Sequence, residues 1–494
     1  MIKSNMSIGK KSKFDEHERD SESRIQDQNE DPQQKAVSPG NTKKEELSGE
    51  NEGGKIISGG ETLFIYEGDR SEELELAIET GAEEGEAYPE EIQQDPRYNS
   101  VPGQELELEK EEKDKKEDKK APLIITSTNS TKSDTDLLWD EICNGVKGKN
   151  SGIPMGFHRL NKYLGLRRSI YTTIGAAAGC GKTSLVDCAY VLNPYDWYIK
   201  NKHKSSVKFE VIYFSMERKK TYKLAKWLCM KIWQEESILM TTDELLSWQS
   251  TLDKRKQDVA KFYIDNYFKE MTESGIVTII DGQQNPTGIY KFLYDHALKN
   301  GKEDQVNQYE RRYTPNDDNL ITNVIHDHAG KTKNENIGGK YDKKLTIDKV
   351  SEYYCWARDF LGYSPIMINQ FNRTSYQDIQ FSKKEGGDPD PTVEYWKDSG
   401  NVIEDCDVAI SLFNPYKYNL EEYMGYNVND FSEPGGANKF RGLKIIKNSY
   451  GTDNLRIGLG FLGEVSLFKE LSKKDEITQK EINSVINNNF FMNL

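Results

Sequence analysis

The chain has 494 residues, 82 acidic against 67 basic, for a net charge of −15, and 35% of it is hydrophobic. No apolar run reaches the ~20 residues of a membrane-spanning helix, and the start of the chain lacks the apolar core of a signal peptide. Six cysteines (Cys143, Cys180, Cys188, Cys229, Cys355, Cys406) are scattered without a C-x-x-C pair, which argues against a zinc module or a disulfide framework and for a reducing, cytoplasmic setting.

The charge is unevenly placed. Residues 1–122 hold 33 acidic and 18 basic residues, and the rest of the chain holds 49 of each. That first quarter is rich in Glu, Lys, Ser, Gln and Gly, and it has too few large apolar side chains to offset chain entropy by burial. It reads as a long disordered acidic tail. A tail of this sign repels nucleic acid, so it recruits, tunes or solubilises.

Residues 123–150 read as a linker carrying a short helix. Ser133-x-x-Asp136 is a helix-start signal, and Leu137, Leu138, Ile142 and Val146 form a stripe too small to hold an isolated helix. The body of the protein is expected over 151–475, with a C-terminal tail over 476–494 that ends in apolar residues suited to a partner, or merely frayed.

The run Ile174-Gly-Ala-Ala-Ala-Gly-Cys-Gly-Lys-Thr-Ser184 follows a β-prone stretch and precedes a helix-compatible one. Its small residues, Ala178, Gly179, Cys180 and Gly181, let the backbone wrap phosphate oxygens and aim N–H groups at them. Lys182 adds a charge beside the β- and γ-phosphates, Thr183 offers a hydroxyl to Mg²⁺, and Ser184 continues the helix. The strict pattern wants glycine at the first loop position, where this chain has Ala176 preceded by Gly175. ATP and Mg²⁺ are the cofactors expected.

Apolar strands alternate with helical stretches from here on, at 169–174, 211–214, 276–280, 320–325, 365–369 and 408–413. A mainly parallel α/β sheet is expected, extended by antiparallel strands near 443–447, 455–459 and 465–468. Two carboxylates compete to complete the Mg²⁺ shell. Asp281 ends a clean apolar strand, and Asp327 ends a less regular one between His326 and His328. Those two histidines have no third ligand at a metal-site spacing.

The order of motifs over 134–471 resembles the ATPase domain of DnaB-type replicative helicases, RecA-fold motors that assemble as hexameric rings. "SGIPMGFHRLNKYLGL" is similar to the segment leading into their phosphate loop. "VIYFSMER" resembles the strand ending in their catalytic glutamate, which falls on Glu217. "SPIMINQFNR" resembles the strand whose glutamine senses the γ-phosphate, here Gln370. "KDSGNVIEDCDVAISL" and "LKIIKNSYGTDNLRIGLGFLGEVSLF" are similar to their Ser-Gly segment and closing hairpin. The resemblance makes "NVIHDH" the Walker B segment and chooses Asp327 over Asp281 for the metal.

It implies an ATP-dependent helicase, a homo-hexamer translocating on single-stranded DNA, with a primase or loader reached through the tails and no membrane. The linker helix would dock on an adjacent subunit. DNA would meet the loops after the core strands, at Lys331, Lys333, Lys340, Lys343 and Lys344, and at Arg373, Lys383 and Lys384. The long stretch Lys219–Asn319, with Trp227, Trp233 and Trp248, suggests helices plus an insertion within about 220–318. One departure stands out. The family places Lys-x-Arg on the closing hairpin, aimed at the neighbour's ATP. Here Lys447 is present but Ser449 stands at the arginine position, and Arg441 and Arg456 lack the spacing. A recombinase or clock-type ATPase of the same fold, or a nucleotide-binding scaffold with weakened hydrolysis, are the alternative readings.

Overall fold

The computed structural model describes residues 133–146, 150, 152–248, 251–372, 377–379, 382, 389–399 and 401–492, with three two-residue pieces at 57–58, 61–62 and 124–125. The acidic tail therefore lies almost wholly outside the described residues. Its one described feature is an antiparallel pairing of Ile57 with Thr62 and Ser58 with Glu61.

A nine-stranded sheet organises the rest. Its strands, in chain order, are β1 (Thr172–Ala176), β2 (Lys208–Ser215), β3 (Val277–Asp281), β6 (Leu320–Asp327), β7 (Ser364–Gln370), β8 (Val408–Phe413), β9 (Phe440–Asn448), β10 (Arg456–Leu462) and β11 (Leu467–Glu470). Across the sheet they run β11-β10-β9-β8-β1-β7-β6-β2-β3. The six from β8 to β3 are mutually parallel, and β9 to β11 are added antiparallel. A separate hairpin, β4 (Gly301–Asn307) and β5 (Glu310–Pro315), stands outside the sheet.

The parallel strands are apolar almost throughout because both faces are covered. Period-two alternation sends Val211 and Tyr213 into one core and Ile212 and Phe214 into the other. The first core is roofed by α2, α3 and α4. Helix α2 runs continuously through Lys182–Val186, a π-helical stretch Asp187–Leu192, and Asn193–Asn201. Helix α3 is Lys220–Glu236, and α4 begins at Lys254–Tyr263 and continues to Glu273. Trp227 and Trp233 of α3 are buried in this layer, whereas Trp248 is exposed and stacks on Tyr222 at 5.9 Å.

The second core is covered by α5 (Pro286–Asn300) and α6 (Lys343–Trp356), through Ile289, Leu293, Ile347, Val350 and Tyr354. Because β1, β2, β3, β6, β7 and β8 share one direction, their C-terminal ends line one edge of the sheet. β1 lies between β7 and β8, with α2 leaving for β2 three strands away, so the end of β1 is a topological switch point, where such sheets bind ligands.

The linker helix α1 spans Asp134–Val146. Its start lies at the helix-start signal Ser133-x-x-Asp136, where the two side chains form a reciprocal cap. Ser133 Oγ accepts from the Asp136 N–H, and Asp136 Oδ2 accepts from the Ser133 N–H, both at 3.3 Å. Leu138, Trp139, Ile142 and Val146 are 47–85% exposed along it.

The C-terminal segment departs from the tail expected of it. Thr478 caps helix α7 (Gln479–Ile486), and Ile482, Val485 and Phe491 are buried against the antiparallel strands. Those apolar residues complete this chain's own core and are not presented outward.

Candidate nucleotide site

The loop after β1 is shaped by what packs beneath it. Ala176 is a fully buried strand residue, paired in register with Gln370 of β7. A Cβ on Gly175 would lie 2.2 Å from Trp396 Cζ2 and 2.5 Å from Phe371. Glycine is thus required one position before the loop's formal start. Gly181 sits at φ +99°, a left-handed conformation, and a Cβ there would also meet Phe468 at 2.9 Å. Arg441 braces the loop from behind. It is buried, stacks on Phe461, and its Nε donates to the Cys180 carbonyl at 3.3 Å.

Lys182 Nζ donates to the Ala176 and Ala177 carbonyls at 3.2 and 3.1 Å, and burial lowers its pKa. Thr183 Oγ1 donates to Asp327 Oδ1 at 2.9 Å. Hydroxyl and carboxylate are the hard oxygen donors that suit Mg²⁺, and they stand together at the N-terminus of α2. The residues present fit that ion. Asp281, the competing carboxylate, ends β3 and accepts the Lys220 N–H at 3.0 Å, so it caps α3.

Behind Asp327 lies a buried polar network that the sequence reading missed. Lys223 Nζ donates to Asp327 Oδ2 at 3.1 Å, to Asp187 Oδ1 at 3.3 Å and to the Tyr213 hydroxyl at 2.6 Å. The Tyr213 hydroxyl lies 3.0 Å from both carboxylates. Burial pushes the Asp327 carboxyl up, but the Lys223 charge and the hydrogen bonds from Lys223, Thr183 and Tyr213 outweigh it and hold the group below the usual carboxylate range. Asp187, dominated by burial, is shifted upward. The available signal was a charge inside each apolar helix face, in Leu185-Val-Asp-Cys-Ala189 and in Lys223-Leu-Ala-Lys-Trp227.

Glu217 lies two residues past the end of β2, in a turn closed by Ser215 Oγ donating to the Arg218 carbonyl at 2.6 Å. It is partly exposed, 3.9 Å from His328 Nε2, and its charge reaches Lys182. His328 is itself pulled down in pKa by burial. His326 is enclosed, with Nδ1 at 2.8 Å from the Tyr354 hydroxyl and Nε2 at 2.9 Å from Thr332 Oγ1. Both its nitrogens are thus engaged by protein. Gln370 is exposed at the end of β7, beside the loop's first residue.

The residues considered for action on a neighbour's nucleotide are committed within this chain. Lys447 Nζ donates to the Ile403 and Glu404 carbonyls at 2.9 and 2.8 Å. Arg456 pairs with Asp390, and Ser449 donates its N–H to the Asp407 carbonyl at 2.9 Å.

Lys331, Lys333 and Lys340 are exposed on the segment after β6. That segment is anchored by Glu335, whose carboxylate accepts from Asn285 Nδ2 at 2.9 Å and from Thr287 N–H at 3.1 Å at the start of α5. Its tip pairs Ile337 with Lys340 across Gly338 and Gly339, both at positive φ. Arg373, Lys383 and Lys384 lie outside the described residues.

No family model matches the chain, and no curated protein matches it. Solved structures do. The ATPase domain of G40P aligns with a TM-score of 0.50 at 15% identity, covering 69% of this chain and 100% of that one. A DnaB-like replicative helicase, described with its interactions with primase, aligns with a TM-score of 0.50 at 16% identity, covering 69% of each chain. The likeness shows the fold, a RecA-like α/β phosphate-loop core of the kind those helicase domains have.

Proposed function

We propose that the protein is an ATP hydrolase of the DnaB-type helicase class, acting as a ring that moves along single-stranded DNA. The observation that carries this is the Thr183–Asp327 hydrogen bond of 2.9 Å at the switch point of a RecA-like sheet. It joins a Gly-Lys-Thr loop to a strand-end carboxylate, the pairing that nucleoside triphosphate hydrolysis requires. Residues 178–184 would cradle the phosphates, and Thr183 and Asp327 would hold Mg²⁺. Held there, the ion would neutralise charge on the phosphates. Glu217 would orient and deprotonate water, and Gln370 would hydrogen-bond the γ-phosphate.

The exposed lysines after β6, Lys331, Lys333 and Lys340, supply a sequence-independent contact for DNA phosphates, to which Arg373, Lys383 and Lys384 would add. The apolar stripe of α1 would be covered by a neighbouring subunit. Since one of the structural neighbours is described with primase, a primase or loader is the partner class for the tails. Lys447 donates to the Ile403 and Glu404 carbonyls, far from the phosphate loop in sequence, and Ser449 stands where an arginine would accompany it. That same observation favours the second reading, a nucleotide-binding scaffold with slow hydrolysis.

The test is the ATPase rate of the full chain with and without single-stranded DNA, beside Lys182→Ala. DNA-stimulated turnover that Lys182→Ala abolishes is the expected result. Nucleotide binding without stimulated turnover would reject the motor and leave the scaffold.

A further inference from the structure

A second lysine reaches the phosphate loop from the far side of β1. Lys417 lies in the 3-10 turn Pro415–Tyr418 that directly follows β8. The turn is rigidly seated. Pro415 and Tyr418 are buried, the Tyr418 ring stacks on Phe413 at 4.9 Å, and the Leu420 N–H closes it on the Pro415 carbonyl at 3.2 Å. That anchoring leaves Lys417 projecting over the loop. Its Nζ donates to the Ala178 carbonyl at 3.0 Å. A Cβ on Gly179 would lie 2.7 Å from the same ammonium, so the glycine makes room for it.

Lys182 and Lys417 thus cap three successive carbonyls, those of Ala176, Ala177 and Ala178. Among the described residues no carboxylate forms an ion pair with Lys417, and its charge is felt at Lys182. Two ammonium groups that repel one another across one loop are both stabilised when an anion comes between them. The lip formed by Ala178 and Gly179 adjoins the N-terminus of α2, where a phosphate chain would be received.

We infer that Lys417 is a catalytic residue acting in cis, a cation that stabilises the charge developing on the β–γ bridging oxygen of the chain's own bound ATP. This rests on the ATP hydrolase reading above. In that reaction the water oxygen forms a bond to the γ-phosphorus, and the bond from that phosphorus to the bridging oxygen breaks. Its electron pair stays on ADP, and the water proton passes to Glu217. Lys417 transfers no proton. It exchanges the Ala178 carbonyl for the bridging oxygen, to which it donates more strongly as the negative charge grows. On the closing hairpin Ser449 carries no charge, whereas Lys417 lies on a turn that touches the phosphate loop of the same subunit.

The experiment compares Lys417→Ala, Lys417→Arg and the neighbouring Tyr416→Ala with the wild-type full chain, measuring kcat and KM for ATP and the binding of a fluorescent ATP analogue. Loss of a preorganised donor to a developing anion lowers kcat by about 10²–10³-fold. That fall is expected for Lys417→Ala with analogue binding changed less than about threefold, while Lys417→Arg keeps most of the rate and Tyr416→Ala keeps all of it. An unchanged kcat in Lys417→Ala, or a loss confined to KM and binding, overturns the inference while the hydrolase reading stands. A wild-type chain without turnover overturns both.

Discussion

Lys223 places its ammonium 3.1 Å from Asp327 and 3.3 Å from Asp187, with 2% of its side chain exposed. One cation therefore ties the helix that follows the phosphate loop to the strand-end carboxylate proposed for Mg²⁺. It occupies Asp327 Oδ2 and leaves Oδ1 to face Thr183. Removing Lys223 strands two buried carboxylates, which costs about 3–5 kcal/mol where one partner of a buried pair is lost. Lys223→Met should show that loss in denaturant unfolding without Mg²⁺ or nucleotide. Adding Asp187→Leu should restore part of it, because one of the two stranded charges is then gone. Single and double variants that both unfold at the wild-type midpoint would show the network to be passive.

Gly175 and Trp396 make a second coupled pair. Trp396 lies across the glycine and donates Nε1–H to Thr173 Oγ1 at 3.3 Å. The indole lies so close that Gly175→Ala must displace it, and overpacking of this kind costs about 1–3 kcal/mol. The expected outcome is a lowered melting temperature with altered tryptophan fluorescence. Combining Gly175→Ala with Trp396→Leu should lose less than the two changes summed, since the smaller side chain admits the methyl group. Strict additivity in the double variant would refute the contact.

Much of this architecture was legible, for identifiable reasons. The parallel strands announced themselves as short apolar runs because both faces are buried, and Val408–Phe413 matches the expected strand end to end. The Gly-Lys-Thr loop and the helix start at Ser133 carry local chemistry that no tertiary context is needed to read. The β4–β5 hairpin was missed because Lys302-Glu-Asp-Gln-Val-Asn307 has no apolar alternation, being exposed along most of its length. Lys223 and Asp187 were passed over because a charge inside an apolar helix face gains meaning only when its partner, 36 residues away, is seen beside it. Lys417 was invisible for a similar reason. It lies 239 residues from Ala178, and only the placement of β8 next to β1 brings them together.

His326 gives the fold a defined acid sensitivity. Thr332 Oγ1 donates to the Ala329 carbonyl at 2.8 Å, so it accepts from His326 Nε2–H, and Nδ1 is left to accept from the Tyr354 hydroxyl. The ring is held neutral, and burial drives its pKa down to about 3. The unfolded chain, with a histidine pKa near ~6.5, then binds the extra proton across the interval between those values. Stability is full above that interval and falls as pH drops through it, by about 1.4 kcal/mol per pH unit from this group. Unfolding free energies measured from pH 7 to 5 without Mg²⁺ should carry this slope, and His326→Gln should flatten it. An unchanged slope in that variant would assign the acid sensitivity to other groups.

The C-terminal segment should behave as core. Phe491 is buried against Gly460, where a Cβ would meet its ring at 3.1 Å. Lys439, also buried, donates to the Ile486 carbonyl at 2.7 Å and so caps the C-terminal end of α7. Phe491→Ala removes a large side chain from a closed cavity, a change that costs about 3–5 kcal/mol. Lys439→Met should lose less, because Glu433, the carboxylate it also pairs with, is 32% exposed and stays hydrated when the ammonium is gone. If this segment instead served only to meet a partner, Phe491→Ala would leave the unfolding midpoint of the isolated chain where it is, and that midpoint is the measurement that decides.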